Sequence, residues 1–245
     1  MKKLLALIFS FILLFTLFAN KYLVYANVKG DNTSQKENTT NKVVYLTFDD
    51  GPGGKVTQKM LDTLKEHDVK ATFFVIGDLA KSQPELTKRI YDEGHAIGLH
   101  TYTHKKDRIY SSTDKFIEEN LLAQQTIEEI TGFKPYILRF PFGCNNAQYK
   151  LTQSMVNALH EKDLKIYDWN VDSTDGMNPG LAPYKIAEKA KSNLDHAVVL
   201  MHCGHVNKNS AEALPLVIKY YTEQGYEFKT IDDTTPEIYR LKIKK

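Results

Sequence analysis

Two adjacent carboxylates stand where an apolar segment of the chain ends. The stretch VVYLTFDDGPGG, residues 43–54, runs through β-branched and aromatic residues into Asp49 and Asp50 and then into glycine and proline. Because side chains alternate along a strand, two neighbours cannot point the same way while the strand stays regular. Asp, Gly and Pro are also the usual residues of turns. The stretch alone therefore fits either a solvated turn or a carboxylate pair that carries chemistry.

Two histidines four residues apart, His100 and His104, are the next candidates. On a helical turn this spacing places both imidazoles on one face, ready to chelate one ion. Taken alone, the spacing fits structural histidines equally well. With an aspartate from the first strand, it becomes a set of two histidines and one carboxylate, which suits zinc with open positions for water and substrate. The second aspartate would then stay free as a base, and the cation would make the carboxylate pair tolerable.

Seven apolar segments alternate with six amphipathic segments from residue 43 onward. The predicted strands are Val43–Phe48, Ala71–Ile76, Ala96–Thr101, Tyr136–Phe140, Lys165–Val171, Ala197–His202 and Glu227–Ile231. The predicted helices are Val56–His67, Pro84–Glu93, Lys115–Thr131, Tyr149–Lys162, Tyr184–Leu194 and Ser210–Gln224. This alternation predicts an α/β fold with a parallel sheet, because each crossover needs a covering helix. A barrel-like (β/α) domain of about seven strands is the favoured interpretation, and an open doubly wound sheet is the alternative.

Charged and imidazole side chains stand at the carboxyl ends of five of the predicted strands. These residues are Asp49, Asp50, His100, His104, Arg139, Asp172 and His202. In parallel α/β folds the carboxyl ends of the strands meet at one edge of the sheet, where the active site forms. We therefore predict that these side chains surround one rim.

The start of the chain has the layout of a secretory signal peptide, predicted over residues 1–26. Two lysines precede an apolar run over residues 4–19, and Val24-Tyr25-Ala26 offers a small residue before a cleavage point. An uncleaved membrane anchor is the alternative. Residues 27–41 contain almost no core-forming side chains and are predicted to be a flexible linker. Residues 42–245 are then long enough for one domain with a sizeable core.

Charge and cysteine content exclude two classes of protein. The formal net charge is +2, and it falls to −1 when Lys2, Lys3 and Lys21 are removed with the leader. Because phosphate binding needs a basic surface, we expect no nucleic-acid partner. With only Cys144 and Cys203, the chain is not a disulfide scaffold. One bridge between them and two free thiols both remain open at this point.

The motifs TFDDGP, HTYTH, RFPFG, VDSTD and LMH, in that order, resemble those of the NodB-type polysaccharide deacetylases, carbohydrate esterase family 4. The resemblance covers roughly residues 43–232. It implies a distorted (β/α)7 barrel with one divalent metal ion, usually zinc. It also implies hydrolysis of N-acetyl groups on sugars of chitin, peptidoglycan or related polymers.

Motif positions in the family imply which residues do the chemistry. The implied metal ligands are Asp50, His100 and His104. Asp49 would be the general base, and His202 would be the general acid that protonates the leaving amine.

Further residues would support this chemistry by the same resemblance. Arg139 would orient Asp49, and Asp172 would hold His202 charged and in position. The backbone N–H of Phe142 would stabilise the oxyanion. Leu200 and Trp169 would lie at the substrate. The aromatic residues that could line a sugar groove, or equally serve only for packing, are Trp169, Tyr102 and Tyr110.

Two positions depart from the family pattern. Many members read Asp-x-x-Asp-Trp where this chain has Asp172-Ser173-Thr174-Asp175-Gly176, so we expect Gly176 to open one side of the groove. Phe142 stands where many members have tyrosine, which removes a hydroxyl and keeps the backbone donor. Both changes leave the chemistry intact and affect only the substrate preference.

The sequence thus predicts a secreted, cell-wall-associated N-deacetylase acting as a monomer, with N-acetylglucosamine of peptidoglycan as its substrate. Membrane contact is expected only through an uncleaved leader. The alternatives are a chitooligosaccharide deacetylase, a carbohydrate O-acetyl esterase and a catalytically silent glycan-binding domain. The silent domain is disfavoured because every expected base and ligand is present. Relatives specific for muramic acid typically resemble F-D-N-G and R-P-P-R-G, and neither pattern occurs here.

Overall fold

The computed structural model describes residues 42–241. The predicted signal peptide, residues 1–26, and the predicted linker, residues 27–41, lie outside the described residues. None of the helices within 42–241 is both long enough and apolar enough to cross a membrane.

Eight strands and eight helices make up the described part of the chain. The strands are β1 (Val43–Gly51), β2 (Thr72–Val75), β3 (Ala96–Leu99), β4 (Ile137–Leu138), β5 (Lys165–Ile166), β6 (Val171–Asp172), β7 (His196–His202) and β8 (Glu227–Phe228). The helices are α1 (Lys55–Glu66), α2 (Gly77–Ser82), α3 (Pro84–Asp92), α4 (Lys106–Ile109), α5 (Thr113–Thr131), α6 (Gln153–His160), α7 (Pro183–Lys189) and α8 (Lys208–Glu223). All the predicted elements except the fifth strand are present with shifted bounds, and α2 and α4 are additional.

All the strands belong to one parallel sheet, in the order β5-β4-β3-β2-β1-β7-β6, with β8 paired to the start of β1. The sheet is curled, with helices on its outer side. The predicted barrel-like α/β fold is therefore confirmed as a half-barrel of parallel strands in a single domain. The alternative of an open doubly wound sheet is not the fold of this chain.

The predicted fifth strand is divided into two short strands at opposite edges of the sheet. β5 pairs with β4, whereas β6 pairs with β7. Residues 167–170 belong to neither strand, and the prediction of one continuous strand there is wrong. This segment therefore runs from one edge of the curled sheet to the other.

The apolar side chains form two layers on either side of the sheet, as a sheet buried on both faces requires. The larger layer joins alternate residues of β1, such as Leu46 and Phe48, to the buried faces of the helices. The smaller layer lies inside the curl and consists of Val43, Tyr45, Phe74, Ile137, Tyr167, Val198 and Ile231. Because side chains alternate, Thr47 and Asp49 continue the inner face of β1 toward its carboxyl end.

Helix α5 covers the outer side of the sheet next to α2, α3 and α4. It begins after Ser112, whose hydroxyl accepts a hydrogen bond from the Lys115 amide, and it ends at Gly132 with a left-handed φ of 76°. Its buried face consists mainly of Phe116, Glu119, Asn120, Ala123, Gln124, Thr126 and Ile127. A carboxylate, Glu119, is therefore buried among apolar and amide side chains.

Candidate active site

A bulge at the end of β1 directs both adjacent carboxylates into one cavity. Asp49 pairs with Phe74 and Gly51 pairs with Val75, so Asp50 is an extra residue on β1. Asp50 has a left-handed φ of 64°, which aspartate tolerates better than most residues. A regular strand would have sent its carboxylate to the opposite face of the sheet.

The two histidines follow β3, but not on a helical turn. His100 lies directly after the strand, and residues 101–105 form an irregular loop in which Thr101 and His104 have left-handed φ values of 62° and 54°. The four-residue spacing therefore does not act here through a helical turn. The loop nevertheless folds back, so that the imidazole centroids are 5.0 Å apart. The Nε2 atoms of His100 and His104 lie 3.5 and 3.3 Å from Oδ1 of Asp50.

Asp50, His100 and His104 form a donor set that fits one divalent ion. One ligand atom from each residue lies within 4.8 Å of the others. Oδ1 of Asp50 is buried and accepts no hydrogen bond from the described residues, which is costly unless a cation faces it. Two imidazoles and one carboxylate leave positions open for water and substrate, as catalytic zinc sites do.

The imidazole of His100 is held in the form that binds a metal. Its Nδ1 lies 2.9 Å from the carbonyl oxygen of Arg139, so Nδ1 carries the proton and Nε2 presents its lone pair toward Asp50. Burial, with the nearby charge of His104, lowers the pKa of His100 to about 3. The ring is therefore neutral.

Asp49 is a buried carboxylate fixed by the guanidinium of Arg139. Nη1 of Arg139 donates to Oδ1 of Asp49 at 2.8 Å and to the hydroxyl of Thr47 at 2.7 Å. The other oxygen, Oδ2, lies 3.8 Å from Nε2 of His100, on the side of the cavity. Burial raises the pKa of Asp49 above its ordinary value, although Arg139 and His202 act in the opposite direction. Asp49 is thus a carboxylate of increased basicity.

His202, at the end of β7, is held by Asp175 rather than by Asp172. Nδ1 of His202 lies 2.7 Å from Oδ1 of Asp175, and its backbone amide donates to Oδ2 at 2.8 Å. The hydroxyl of Ser210 also donates to Oδ2, at 2.6 Å. The predicted partner, Asp172, is exposed and accepts a hydrogen bond from the amide of Thr174 at 2.7 Å. This local bond forms a turn that places the next aspartate, not the first, beneath the imidazole.

The buried carboxylate of Asp175 keeps His202 protonated. Burial by itself would lower the pKa of His202. The hydrogen bond and charge of Asp175, with smaller effects of Asp49 and Asp50, outweigh burial and raise the pKa to about 9. At neutral pH, His202 is therefore a cation that can release a proton.

Gly176 makes room for the imidazole of His202. A Cβ atom at position 176 would lie 2.3 Å from Cε1 and 2.5 Å from Nε2 of His202, closer than real contacts allow. Gly176 also lines the cavity, so the absence of a side chain there leaves room for the His202 ring. The neighbouring Met177 is 91% exposed and stands at the rim.

These groups surround one cavity of about 350 Å³. Its walls consist of Asp49, Asp50, His100, His104, Phe142, Trp169, Asp172, Gly176, Met177, Leu200 and His202. All the predicted site residues except Arg139 line it, and Arg139 lies directly behind Asp49. Sequence reasoning missed the role of Asp175, although the second aspartate of the motif was visible.

Phe142 forms the mouth of the cavity beside His104. It has a left-handed φ of 65°, and its half-exposed ring lies 4.9 Å from the His104 imidazole. The described residues provide no acceptor for its backbone N–H, so this donor is available to a ligand.

The aromatic candidates for a sugar groove separate into two groups. Trp169 lines the cavity, and its ring is close to Gly143. Tyr110 instead stacks on Phe116 and Tyr149, and Tyr102 packs against the apolar core. Of the three, only Trp169 is placed to contact a ligand in this cavity.

The two cysteines are buried free thiols, so the bridge considered from the sequence is not present. The Sγ atom of Cys203 lies 3.4 Å from the carbonyl oxygen of Asp49, whereas Cys144 contacts the backbone of Arg240. Burial raises the pKa of the Cys203 thiol, and it raises that of Cys144 to about 12. Neither thiol is poised as a nucleophile.

Comparisons with known proteins identify the family of this chain. A family model described as polysaccharide deacetylase matches residues 36–179. A peptidoglycan-N-acetylglucosamine deacetylase of Bacillus cereus is 39% identical over 194 residues, covering 77% of this chain and 68% of the relative. The enzyme PgdA of Listeria monocytogenes, a peptidoglycan-N-acetylglucosamine deacetylase, is 38% identical over 228 residues, covering 92% of this chain but 45% of its own length. The crystal structure of the polysaccharide deacetylase Bc1974 from Bacillus cereus matches with a TM-score of 0.72 and 36% identity, covering 80% of this chain and 94% of that one.

The contact between Gly176 and His202 predicts that Gly176→Ala destabilises the fold by about 1–3 kcal/mol, because the added methyl group overpacks the ring. Gly180→Ala is the matched control, since its Cβ would meet nothing nearer than an Asn178 oxygen at 3.6 Å. We expect the control to change stability by no more than about 0.5 kcal/mol. Denaturant unfolding of both variants measures this. Equal effects of the two substitutions would contradict the contact.

The pair His202–Asp175 predicts that Asp175→Asn lowers the pKa of His202 from about 9 toward its ordinary range or below, because burial remains while the charge is lost. The raised pKa stabilises the folded chain in full below about pH 6.5, and this stabilisation disappears as the pH rises through the folded-state pKa. NMR titration of the imidazole in metal-free protein measures the shift. Asp172→Asn is the control and should leave the pKa unchanged; a larger shift in the control would reverse the assignment.

Proposed function

The chain belongs to the polysaccharide deacetylase family, and from that premise we propose that it is a metal-dependent hydrolase that removes the N-acetyl group of N-acetylglucosamine in peptidoglycan. The observation that carries the proposal is the meeting of three groups in one cavity. A set of side chains that could hold a metal ion shares the cavity with a carboxylate of raised pKa, Asp49, and a cationic imidazole, His202.

Amide hydrolysis needs this combination because an acetamide is a poor electrophile and water is a poor nucleophile at neutral pH. The residues that would hold the ion are Asp50, His100 and His104, with zinc as the proposed ion. When bound, it would supply Lewis acidity toward the carbonyl and lower the pKa of water. Asp49 would accept the proton of the attacking water through Oδ2, while Oδ1 stays fixed on Arg139.

Phe142 and His202, which also line the cavity, would act on the oxyanion and on the leaving amine. The free N–H of Phe142 would donate to the oxyanion that develops as water adds to the carbonyl carbon. His202 would then give its proton to the sugar nitrogen as the C–N bond breaks, so that acetate and a free amine leave. Asp175 holds the imidazole by Nδ1, which directs the acidic proton on Nε2 into the cavity.

Two observations support glucosamine as the target sugar. Two of the relatives named above, from Bacillus cereus and Listeria monocytogenes, are peptidoglycan-N-acetylglucosamine deacetylases. The half-exposed ring of Phe142 stands at the mouth, where an apolar face can stack on a neutral sugar and offers no charge to a lactyl carboxylate. Chitooligosaccharide deacetylation and carbohydrate O-acetyl ester hydrolysis remain the alternatives, since the same site would serve them.

We also propose that the protein is secreted and acts at the cell wall, on the basis of the signal-peptide pattern.

Exchanging either aspartate for asparagine distinguishes the general base, Asp49, from the metal ligand, Asp50. Asp49→Asn should keep the metal and lower turnover roughly 10²–10⁴-fold, because the proton acceptor is lost. Asp50→Asn should bind the metal far more weakly, because a charged ligand is lost. Metal content by mass spectrometry and deacetylation rates measure both. Loss of metal in the Asp49 variant, with retention in the Asp50 variant, would reverse the two roles.

The sugar is tested with purified peptidoglycan incubated with the zinc-loaded protein. After muramidase digestion, tandem mass spectrometry should place the loss of acetyl on glucosamine, with Asp49→Asn protein as the inactive control. Loss on muramic acid would show that the sugar is wrong. Release of O-linked acetate alone, or activity on chitooligosaccharides alone, would favour the respective alternative.

A further inference from the structure

The two histidine ligands are held in different ways. Nδ1 of His100 is fixed by the carbonyl oxygen of Arg139. Within residues 42–241 no hydrogen bond reaches Nδ1 of His104, and its ring contacts only His100 and Phe142 among aromatic groups. The position of the His104 imidazole therefore depends on the loop that carries it. Because His104 itself has a left-handed φ, that loop must be held by its surroundings.

The loop is tied to helix α5 by one buried carboxylate. Glu119 is 1% exposed, and its Oε2 accepts hydrogen bonds from the amide and the hydroxyl of Thr103, at 2.8 and 2.9 Å. Its Oε1 forms an ion pair with Nε of Arg108. Thr103 precedes His104 by one residue, and Arg108 follows it by four. Glu119 therefore holds the chain on both sides of the ligand.

Burying a carboxylate on the face of a helix has a large desolvation cost. An apolar side chain of similar size would pack there without the cost of removing a charge from water. Charge-assisted hydrogen bonds are about twice as strong as neutral ones, so the charge gains most where it orders other groups. The described contacts of the Glu119 carboxylate are all with the segment that carries His104.

Resting on the proposed metal-dependent function, we propose that Glu119 is a positioning residue that presents His104 to the metal. It holds Thr103 and Arg108 so that the strained loop keeps Nε2 of His104 near Asp50. This role predicts that loss of the Glu119 charge weakens metal binding and alters the coordination geometry. The neighbouring Glu118 offers a matched comparison, since it is exposed and pairs with Lys115.

The experiment compares Glu119→Gln with Glu118→Gln in the full chain. Competition with a chromophoric chelator measures zinc affinity, and absorption of the cobalt-loaded protein reports the ligand geometry. Glu119→Gln should bind zinc roughly 10–100-fold more weakly, the range for groups that orient a metal ligand, and should show an altered cobalt spectrum when saturated. Glu118→Gln should match the unsubstituted chain in both measurements.

Two substitutions of Thr103 keep the proposal testable if Glu119→Gln does not fold. Thr103→Val removes the hydroxyl bonded to Oε2 of Glu119 and should weaken zinc binding. Thr103→Ser keeps the hydroxyl and should retain the zinc affinity of the unsubstituted chain. Unchanged affinity and spectrum in folded Glu119→Gln, or in Thr103→Val, would overturn the role of Glu119. A protein that binds zinc as expected but leaves peptidoglycan unchanged would instead overturn the proposed function alone. Absence of zinc binding in the unsubstituted chain would overturn both.

Discussion

The guanidinium of Arg139 is the group on which the inner structure depends. It is fully buried inside the curled sheet, so each of its donors needs an acceptor. Those acceptors are Thr47 and Asp49 on β1 and the carbonyl oxygens of Tyr167 and Asp168. Its face also lies 4.1 Å from the ring of Phe74, where the aromatic quadrupole favours a cation. A buried charge with this many partners fixes the centre of the sheet relative to the segment between β5 and β6.

That segment explains why the half-barrel has its particular form. The carbonyl oxygens of Tyr167 and Asp168 point at Arg139 instead of at a neighbouring strand, so the predicted fifth strand separates into β5 and β6. The separation lets one short piece of chain pair with β4 at one edge and with β7 at the other. It also places Trp169 at the wall of the cavity. The guanidinium of Arg139 thus both orients Asp49 and accompanies the interruption of the predicted strand.

Features of the site that follow from the direction of the strands can be predicted from the sequence. Polar residues at the carboxyl ends of parallel strands meet at one edge of the sheet, and this rule correctly predicts that His100 and His202 share a rim with Asp49. Features that depend on single backbone dihedral angles are not predictable from strand direction. The bulge at Asp50 and the loop before His104 both require left-handed φ values, and residue type alone does not signal them. The prediction of Asp172 as the partner of His202 is wrong for a related reason. A local turn at Asp172 decides which aspartate reaches the ring, and residue spacing does not reveal that turn.

The cavity is built from two carboxylate–cation pairs with opposite orientation. In one pair the cation, Arg139, is buried behind Asp49, so the carboxylate oxygen that is not bonded to it lies on the cavity side. In the other pair the carboxylate, Asp175, is buried behind His202, so the acidic nitrogen faces the cavity. The register of β1 and β7 sets Asp49 directly beside His202. Two pairs of similar chemistry therefore place a carboxylate of raised pKa and a cationic imidazole in one cavity, which supports the proposed roles of Asp49 as base and His202 as acid.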